Sequence, residues 1–236
     1  MTALIVMPTF NEAGNVAHIL AEVLRHTPEV EILVVDDASP DGTGAIVDKL
    51  AAADSRIHVL HRASKDGLGR AYVAGFEWGL ARNFELICEM DADGSHRPAD
   101  LGALLAAAGS ADLVIGSRWV PGGSVVNWPN SRRAISRFGN WYARALLGSQ
   151  IRDITAGFRV YQSSALRNVN FGGAVAHGYG FQVEMARLFE RAKLSVTEVP
   201  ITFVERTVGV SKMSTTIVAE AMWLVTKWGL RRLFRG

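Results

Sequence analysis

The spacing of apolar residues changes its period regularly along the first half of the chain. ALIVMP (3–8), EILVVDD (31–37), IHVLH (57–61), ELICEMD (85–91) and ADLVIGS (111–117) are short apolar runs that read as strands. Between them lie NVAHILAEVL (15–24), TGAIVDKLAAA (43–53), GRAYVAGFEWGLA (69–81) and PADLGALLAAA (98–108), whose apolar residues recur at helical spacing. The last of these opens on a proline, which suits the first turn of a helix. Strands alternating with helices predict a largely parallel sheet covered on both faces. Such sheets bind ligands at the carboxyl ends of their strands.

Beyond residue 118 the pattern is less regular. VPGGSVVNWPNS (120–131) reads as a loop, and SRRAISRFGNWYARALLG (131–148) as a helix closed by Gly148. SVTEVPITFVER (195–206) reads as a pair of strands near the sheet edge, followed by the loop TVGVSKMS. The final segment, 215–236, is an amphipathic helix with Ile217, Ala221, Leu224 and Trp228 on one side and Glu220, Lys227 and Arg231 on the other. Two readings are open for it. It packs on the domain as a terminal helix, or it lies in a membrane interface with its tryptophans at headgroup level. We therefore divide the chain into a catalytic-type domain, 1–214, and a C-terminal basic helix, 215–236.

Composition narrows the class. With 236 residues, 49% of them apolar and 20% charged, the chain is long enough for a sizeable core and too apolar to be disordered. A net charge of +2 does not point to nucleic acid. Cys88 is the single cysteine, so no internal disulfide forms. The N-terminus lacks the features of a signal peptide, and no run approaches the roughly 18–20 apolar residues of a membrane span. The expected location is cytoplasmic, peripheral on the cytoplasmic face of a membrane. Charge is unevenly placed. Arg118, Arg132, Arg133, Arg137 and Arg144 occur with no acid between residues 118 and 144, and six basic residues face one acid in 206–236. Basic surface on an otherwise slightly acidic chain suggests anionic ligands or lipid headgroups.

The polar groups cluster where strands end: Thr9, Asn11 and Glu12; Asp36 and Asp37; Lys65 and Asp66; Asp91 and Asp93; Arg118. Polar loops account for one or two such groups more easily than for five. Asp91-x-Asp93 sets two carboxylates side by side on an extended chain, where they repel unless a proton or cation lies between them. Mg²⁺ or Mn²⁺, hard cations that keep few protein ligands and add phosphate oxygens, suit that arrangement. Turn chemistry alone would also use Asp and Gly here. Neither GxGxxG after the first strand nor GxxxxGK[ST] is present, which disfavours dinucleotide oxidoreductases and P-loop NTPases.

MPTFNE, VVDDASPDGT, KDGLGRAYVAG, MDADGSHRP, GSRWVPGG, NWPNSRR, DITAGFRVY, GYGFQVEM and ITFVERTVGVSKMS occur in that order. Together they resemble the family-2 inverting glycosyltransferases, and within them the polyprenol-phosphate mannose synthases, over about residues 3–215. The resemblance implies an α/β GT-A fold, GDP-mannose as donor, a divalent metal (Mg²⁺ or Mn²⁺), a polyprenyl phosphate acceptor and a β-linked product. Pro8, Phe10, Glu12, Val35 and Asp37 would hold the nucleoside, with Lys65 beside them. Asp91, Ala92 and Asp93 would contact nucleotide and metal, and Ser95 stands where many relatives have a metal-binding Gln. Arg118, Arg206 and Lys212 would grip the phosphates, and Arg118, Arg132 and Ser136 the lipid phosphate. Asp91, Asp93, Arg118, Arg206 and Lys212 form the catalytic set. Phe10 replaces the usual Tyr. The rival readings are a UDP-glucose enzyme acting on the same lipid phosphate, a family-2 transferase with a hydroxyl acceptor and Glu184 as base, and a non-catalytic nucleotide-binding regulator. The expected membrane contact is the C-terminal helix, the arginine-rich helix or a membrane-protein partner.

Overall fold

A computed structural model describes residues 1–174, 178–206 and 215–233. The alternating half forms as the pattern predicts. It comprises β1 (Ala3–Thr9), α1 (Val16–His26), β2 (Glu31–Asp36), α2 (Thr43–Ala53), β3 (Ile57–His61), α3 (Leu68–Ala81), β4 (Leu86–Glu89), α4 (Pro98–Ala107) and β5 (Leu113–Ser117). The remainder is β6 (Ser124–Val126), α5 (Asn130–Leu147), β7 (Arg159–Gln162), α6 (Ser163–Arg167), α7 (Tyr179–Arg191), β8 (Val196–Pro200), β9 (Thr202–Val204) and α8 (Thr215–Leu233).

Seven strands form one sheet in the order β3-β2-β1-β4-β7-β5-β8. All neighbours run parallel except β7, which is antiparallel to both β4 and β5. Sheet alternation divides the core in two. Leu4, Val6, Leu33 and Val35 face the layer containing α3, α7 and α8, while Ile5, Met7, Ile32 and Val34 face α1 and α4. On the first face, α3 approaches β1 closely because Gly75 and Gly79 have no side chain. A Cβ at Gly75 would run into Val6, and one at Gly79 would come 2.8 Å from Leu4.

Three features depart from the expected pattern. β7 inserts between β4 and β5, although FRVYQ shows no long apolar run. β8 and β9 do not pair with each other: β8 closes the edge of the main sheet beside β5, and β9 pairs in parallel with β6 inside the supposed loop. The small β6–β9 sheet is tied to the main one, since Val204 N–H donates to Ser95 O at 3.1 Å. The arginine-rich helix ends as expected, with Gly148 left-handed at φ 67°. The terminal helix α8 buries Leu224, Val225 and Trp228 in the domain's own core, against α5 and α7. The side expected to be its apolar face thus points inward, and Trp223 is left exposed (60%). The side chain of Ile217 lies outside the described residues.

Candidate active site

The rim of the parallel sheet carries the residues expected to hold the donor. Asp36 and Asp37 separate in role. Asp36 accepts hydrogen bonds from Thr9 Oγ1 (2.9 Å) and Ser39 Oγ (2.6 Å) and holds the turn. Asp37, directly after β2, is buried and receives Arg62 Nη1 at 2.5 Å. Burial raises the Asp37 pKa, although Arg62 opposes the shift. Ala38 between them and the next turn is left-handed, φ 53°, an uncommon conformation for a residue with a Cβ. Lys65 Nζ lies 4.0 Å above the centre of the Phe10 ring. Glu12 is buried, its backbone N–H donating to Thr43 Oγ1 at 2.9 Å and its carboxylate accepting from Asn15. Pro8 sits in register with Val35 across β1 and β2. Val35 and Ala92 are buried, with side chains in the two core layers, so their contribution to a ligand is the shape of the strand ends.

The Asp91-x-Asp93 turn is held from several directions. Tyr72, wholly buried on α3, donates its hydroxyl to Asp91 Oδ1 (3.1 Å). His96 Nδ1 accepts the Asp91 backbone N–H (3.0 Å), while its ring stacks on Phe158, 4.9 Å between centres. Burial holds the His96 pKa low, so this imidazole is a neutral structural acceptor that shapes the loop. Asp93 Oδ1 accepts from Ser95 N–H (3.0 Å) and Ser95 Oγ (2.6 Å), and its Oδ2 faces Arg206 Nη2 at 2.7 Å. Ser95 therefore orients Asp93. Its hydroxyl is spent on the carboxylate in the position where metal ligation was expected. The two carboxyls are pushed apart. Burial raises the pKa of Asp91. At Asp93 the Ser95 hydrogen bond and Arg206 outweigh burial and lower it.

These acids suit a hard divalent cation by donor chemistry, with diphosphate oxygens completing the shell. Among the described residues no cluster of three His, Cys, Asp or Glu side chains surrounds one point. A cation here would rest on Asp91 and Asp93 alone, with Arg206 withdrawing from Asp93.

The basic residues divide. Arg118, directly after β5, is buried and bidentate on Asp153 through Nε and Nη2, both at 2.7 Å; Nη2 also reaches Thr155 Oγ1 at 3.1 Å. Asn140 of α5 donates to the same Thr155 hydroxyl (3.1 Å), which fixes the helix against this turn. One side of α5 then presents Arg132 and Ser136 to a groove shared with Arg118 and walled by Ile135, Tyr142, Met222 and Val225. Arg132 pairs with Glu205 and lies 4.2 Å from the centre of the Trp128 ring. Lys212 lies outside the described residues.

Asp153, Glu205, Arg62 and Tyr72 were not singled out from sequence. Asp153 lies in DITAGFRVY and Glu205 in ITFVERTVG, so both stood inside recognised motifs, but their partners are 35 and 73 residues away.

The profile described as "Glycosyl transferase family 2" matches residues 4–169. The chain belongs to this family. This glycosyltransferase is 52% identical to an undecaprenyl-phosphate mannosyltransferase of Micrococcus luteus, over all of its own length and 97% of that protein's. It is also 52% identical to a polyprenol monophosphomannose synthase of Mycolicibacterium smegmatis, over 97% of the chain and 87% of that protein. Its GT-A fold matches glucosyl-3-phosphoglycerate synthase of Mycobacterium tuberculosis with a TM-score of 0.68 at 18% identity, covering 98% of this chain and 79% of the other. That synthase was crystallised with Mn²⁺ and, separately, with Mg²⁺, each together with UDP.

Proposed function

We propose that this glycosyltransferase moves mannose from GDP-mannose to the phosphate of a polyprenyl phosphate, inverting the anomeric centre. The observation that carries this reading is the groove between α5 and α8. Arg118, Arg132 and Ser136 gather at its polar end, and apolar side chains of both helices line the rest. An anionic head on a long apolar tail matches both ends of that groove. The names of the two relatives, each 52% identical, support the same acceptor and the same sugar.

A phosphate monoester is already anionic near neutral pH, so it attacks without a general base. This chain's task is to bring two anions together and receive charge on the leaving diphosphate. Asp91 and Asp93 would hold Mg²⁺ or Mn²⁺, which supplies Lewis-acid stabilisation to the leaving group. Arg206, 2.7 Å from Asp93 in this state, would transfer its charge to the diphosphate, and Lys212 would join it. Arg132, with Ser136, would exchange Glu205 for the acceptor phosphate. Arg118, fixed by Asp153, contributes positive potential and shape to the wall. Pro8, Phe10, Glu12, Asp37 and Lys65 would hold the nucleoside, with Phe10 as a stacking surface.

A lipid acceptor places the enzyme at a membrane. No helix among the described residues is long and apolar enough to cross one. We assign membrane contact to the exposed Ile135, Phe138 and Trp141 of α5 together with the exposed Trp223 of α8, the two helices that wall the groove. The cytoplasmic face is where a nucleotide-sugar donor is supplied.

The test offers GDP-mannose and UDP-glucose, each with Mg²⁺ or Mn²⁺, to detergent-dispersed polyprenyl phosphate. An organic-extractable mannolipid formed from GDP-mannose is the expected product. A glucolipid in its place assigns the enzyme to the other donor, and the absence of both products removes the lipid acceptor.

A further inference from the structure

Beside the acceptor groove, and sharing Arg118 with it, lies a second cavity, of about 410 Å³, lined also by Trp119, Gly123, Ser124, Val125, Arg133 and Arg137. We propose that it binds the phosphate headgroup of an anionic membrane lipid, which is not consumed and which seats α5 on the bilayer. This rests on the reading that α5 faces a membrane.

Charge is the first argument. Arg62, Arg118, Arg132 and Arg206 each face a carboxylate. Arg133 and Arg137 do not: among the described residues Arg133 Nη2 donates to the carbonyl of Val125 (2.9 Å) and Arg137 lies 5.1 Å over the Trp119 ring. Both side chains are exposed at the cavity. Among the described residues the indole Nε1–H of Trp119 is buried without a hydrogen-bond partner. A donor in that state is costly unless a ligand accepts from it. Two cations at one cavity, with an unsatisfied N–H in the residue that forms its wall, suit an oxyanion.

Position is the second. Arg133 lies in the first turn of α5 and Arg137 in the next, and that first turn has no acidic residue. Cations there oppose the positive end of the helix dipole, so the arrangement costs stability until an anion arrives. On a helix turning about 100° per residue, Arg133 and Arg137 stand on one side, Arg132, Ser136 and Gly139 on the other, and Trp141, Phe138 and Ile135 on the arc between them. Those three are 54–60% exposed. A free phosphate would fill the cavity and leave this apolar arc in water. A phospholipid supplies a phosphate at the cavity and acyl chains along the arc. The same seating would turn the acceptor groove, on the far side of the arc, toward the bilayer from which its polyprenyl phosphate comes.

The experiment measures sedimentation of the full chain with phosphatidylcholine vesicles, with or without phosphatidylglycerol. Wild type should prefer the anionic vesicles. Arg133→Gln/Arg137→Gln should weaken that binding roughly 30-fold, the worth of two cations at an anionic surface, while leaving binding to phosphatidylcholine unchanged. Trp119→Phe, which removes one N–H and no charge, should weaken it about threefold, a change that diffuse attraction would not produce. Turnover of detergent-dispersed acceptor should stay within about twofold of wild type in both variants. Unchanged binding of the arginine variant to anionic vesicles overturns the proposal, as does loss of turnover on dispersed acceptor, which would move these arginines into the acceptor site. Displacement of wild type from vesicles by soluble glycerol phosphate, at constant ionic strength, would replace the lipid with a free phosphate. Phe138→Ser/Trp141→Ser distinguishes the underlying reading. If it leaves all vesicle binding intact, α5 is not the membrane face. If it weakens binding while the arginine variant does not, only the headgroup site fails.

Discussion

The two halves of the proposed site, one for the donor and one for the acceptor, are held by different means. On the donor side, β1 to α4 repeat one local unit, and each strand delivers its polar group to the rim by ending there. The ion pair between Asp37 and Arg62 joins the ends of adjacent strands β2 and β3. On the acceptor side the elements are short, two sheets share the region, and ion pairs distant in sequence hold it: Arg118 with Asp153, Arg132 with Glu205, Arg206 with Asp93. Backbone pattern positions the donor side, and side-chain charge positions the acceptor side. Two of those acceptor-side pairs occupy groups that the proposed ligands need, so this half is assembled by contacts that catalysis must exchange.

The comparison is tested most severely where the halves meet. Asp93→Ala should reduce turnover by about 10³-fold or more, because it removes a carboxylate proposed to hold the cation and the anchor of Arg206 together. Initial rates with added Mg²⁺ or Mn²⁺ would measure this, and activity near wild type would remove Asp93 from the metal site. Next in size is a structural effect. Arg159, wholly buried on β7, donates to the carbonyls of Ile154, Ala156 and Gln182 at 2.7–2.8 Å. Its field also opposes the burial that raises the pKa of Glu89 to about 7. Arg159→Met strands three carbonyls and an acid, and should cost about 3–5 kcal/mol of stability by urea denaturation. It should also loosen the turn carrying Asp153, so that the acceptor KM rises while the donor KM holds.

Arg159 shows what the sequence could and could not disclose. The alternating half was legible because apolar runs, helical spacing and strand-end acids are all local signals. The closing glycine of α5 and the Thr9-to-Arg118 rim were legible for the same reason. β7 was not, because FRVYQ has only a few apolar residues and its arginine, buried on carbonyls of a neighbouring turn, looks like a surface residue until the fold is known. α8 was read correctly as amphipathic, but which way its apolar side faces depends on α5 and α7, which no local pattern encodes. Glu205 and Asp153 lay inside recognised motifs and still carried no sign of their partners, since an acid's partner is a matter of tertiary placement.

Packing on the donor side gives a smaller effect. Gly75→Ala sets a methyl against Val6, and overpacking of this kind should cost about 1–3 kcal/mol. Thermal melting would detect it, with both substrate KM values little changed because the rim moves as a unit. The smallest predicted effect is the most specific to the acceptor side. Glu205 and Arg206 are neighbours at the end of β9, one on the proposed acceptor-phosphate arginine and the other on a proposed metal acid. Among the described residues Glu205 Oε2 and Arg132 Nε are both buried without hydrogen-bond partners, so this pair is imperfectly satisfied as it stands. An acceptor phosphate must displace Glu205 to reach Arg132. Glu205→Gln keeps the shape and removes the competing charge, so the acceptor KM should fall about three- to tenfold with the donor KM nearly unchanged. A rise in acceptor KM would show instead that Glu205 aims Arg132 at its ligand. In that case Asp153, Ser95 and Glu205 would share one function, each an acid or hydroxyl that fixes a charged partner in place before substrate arrives.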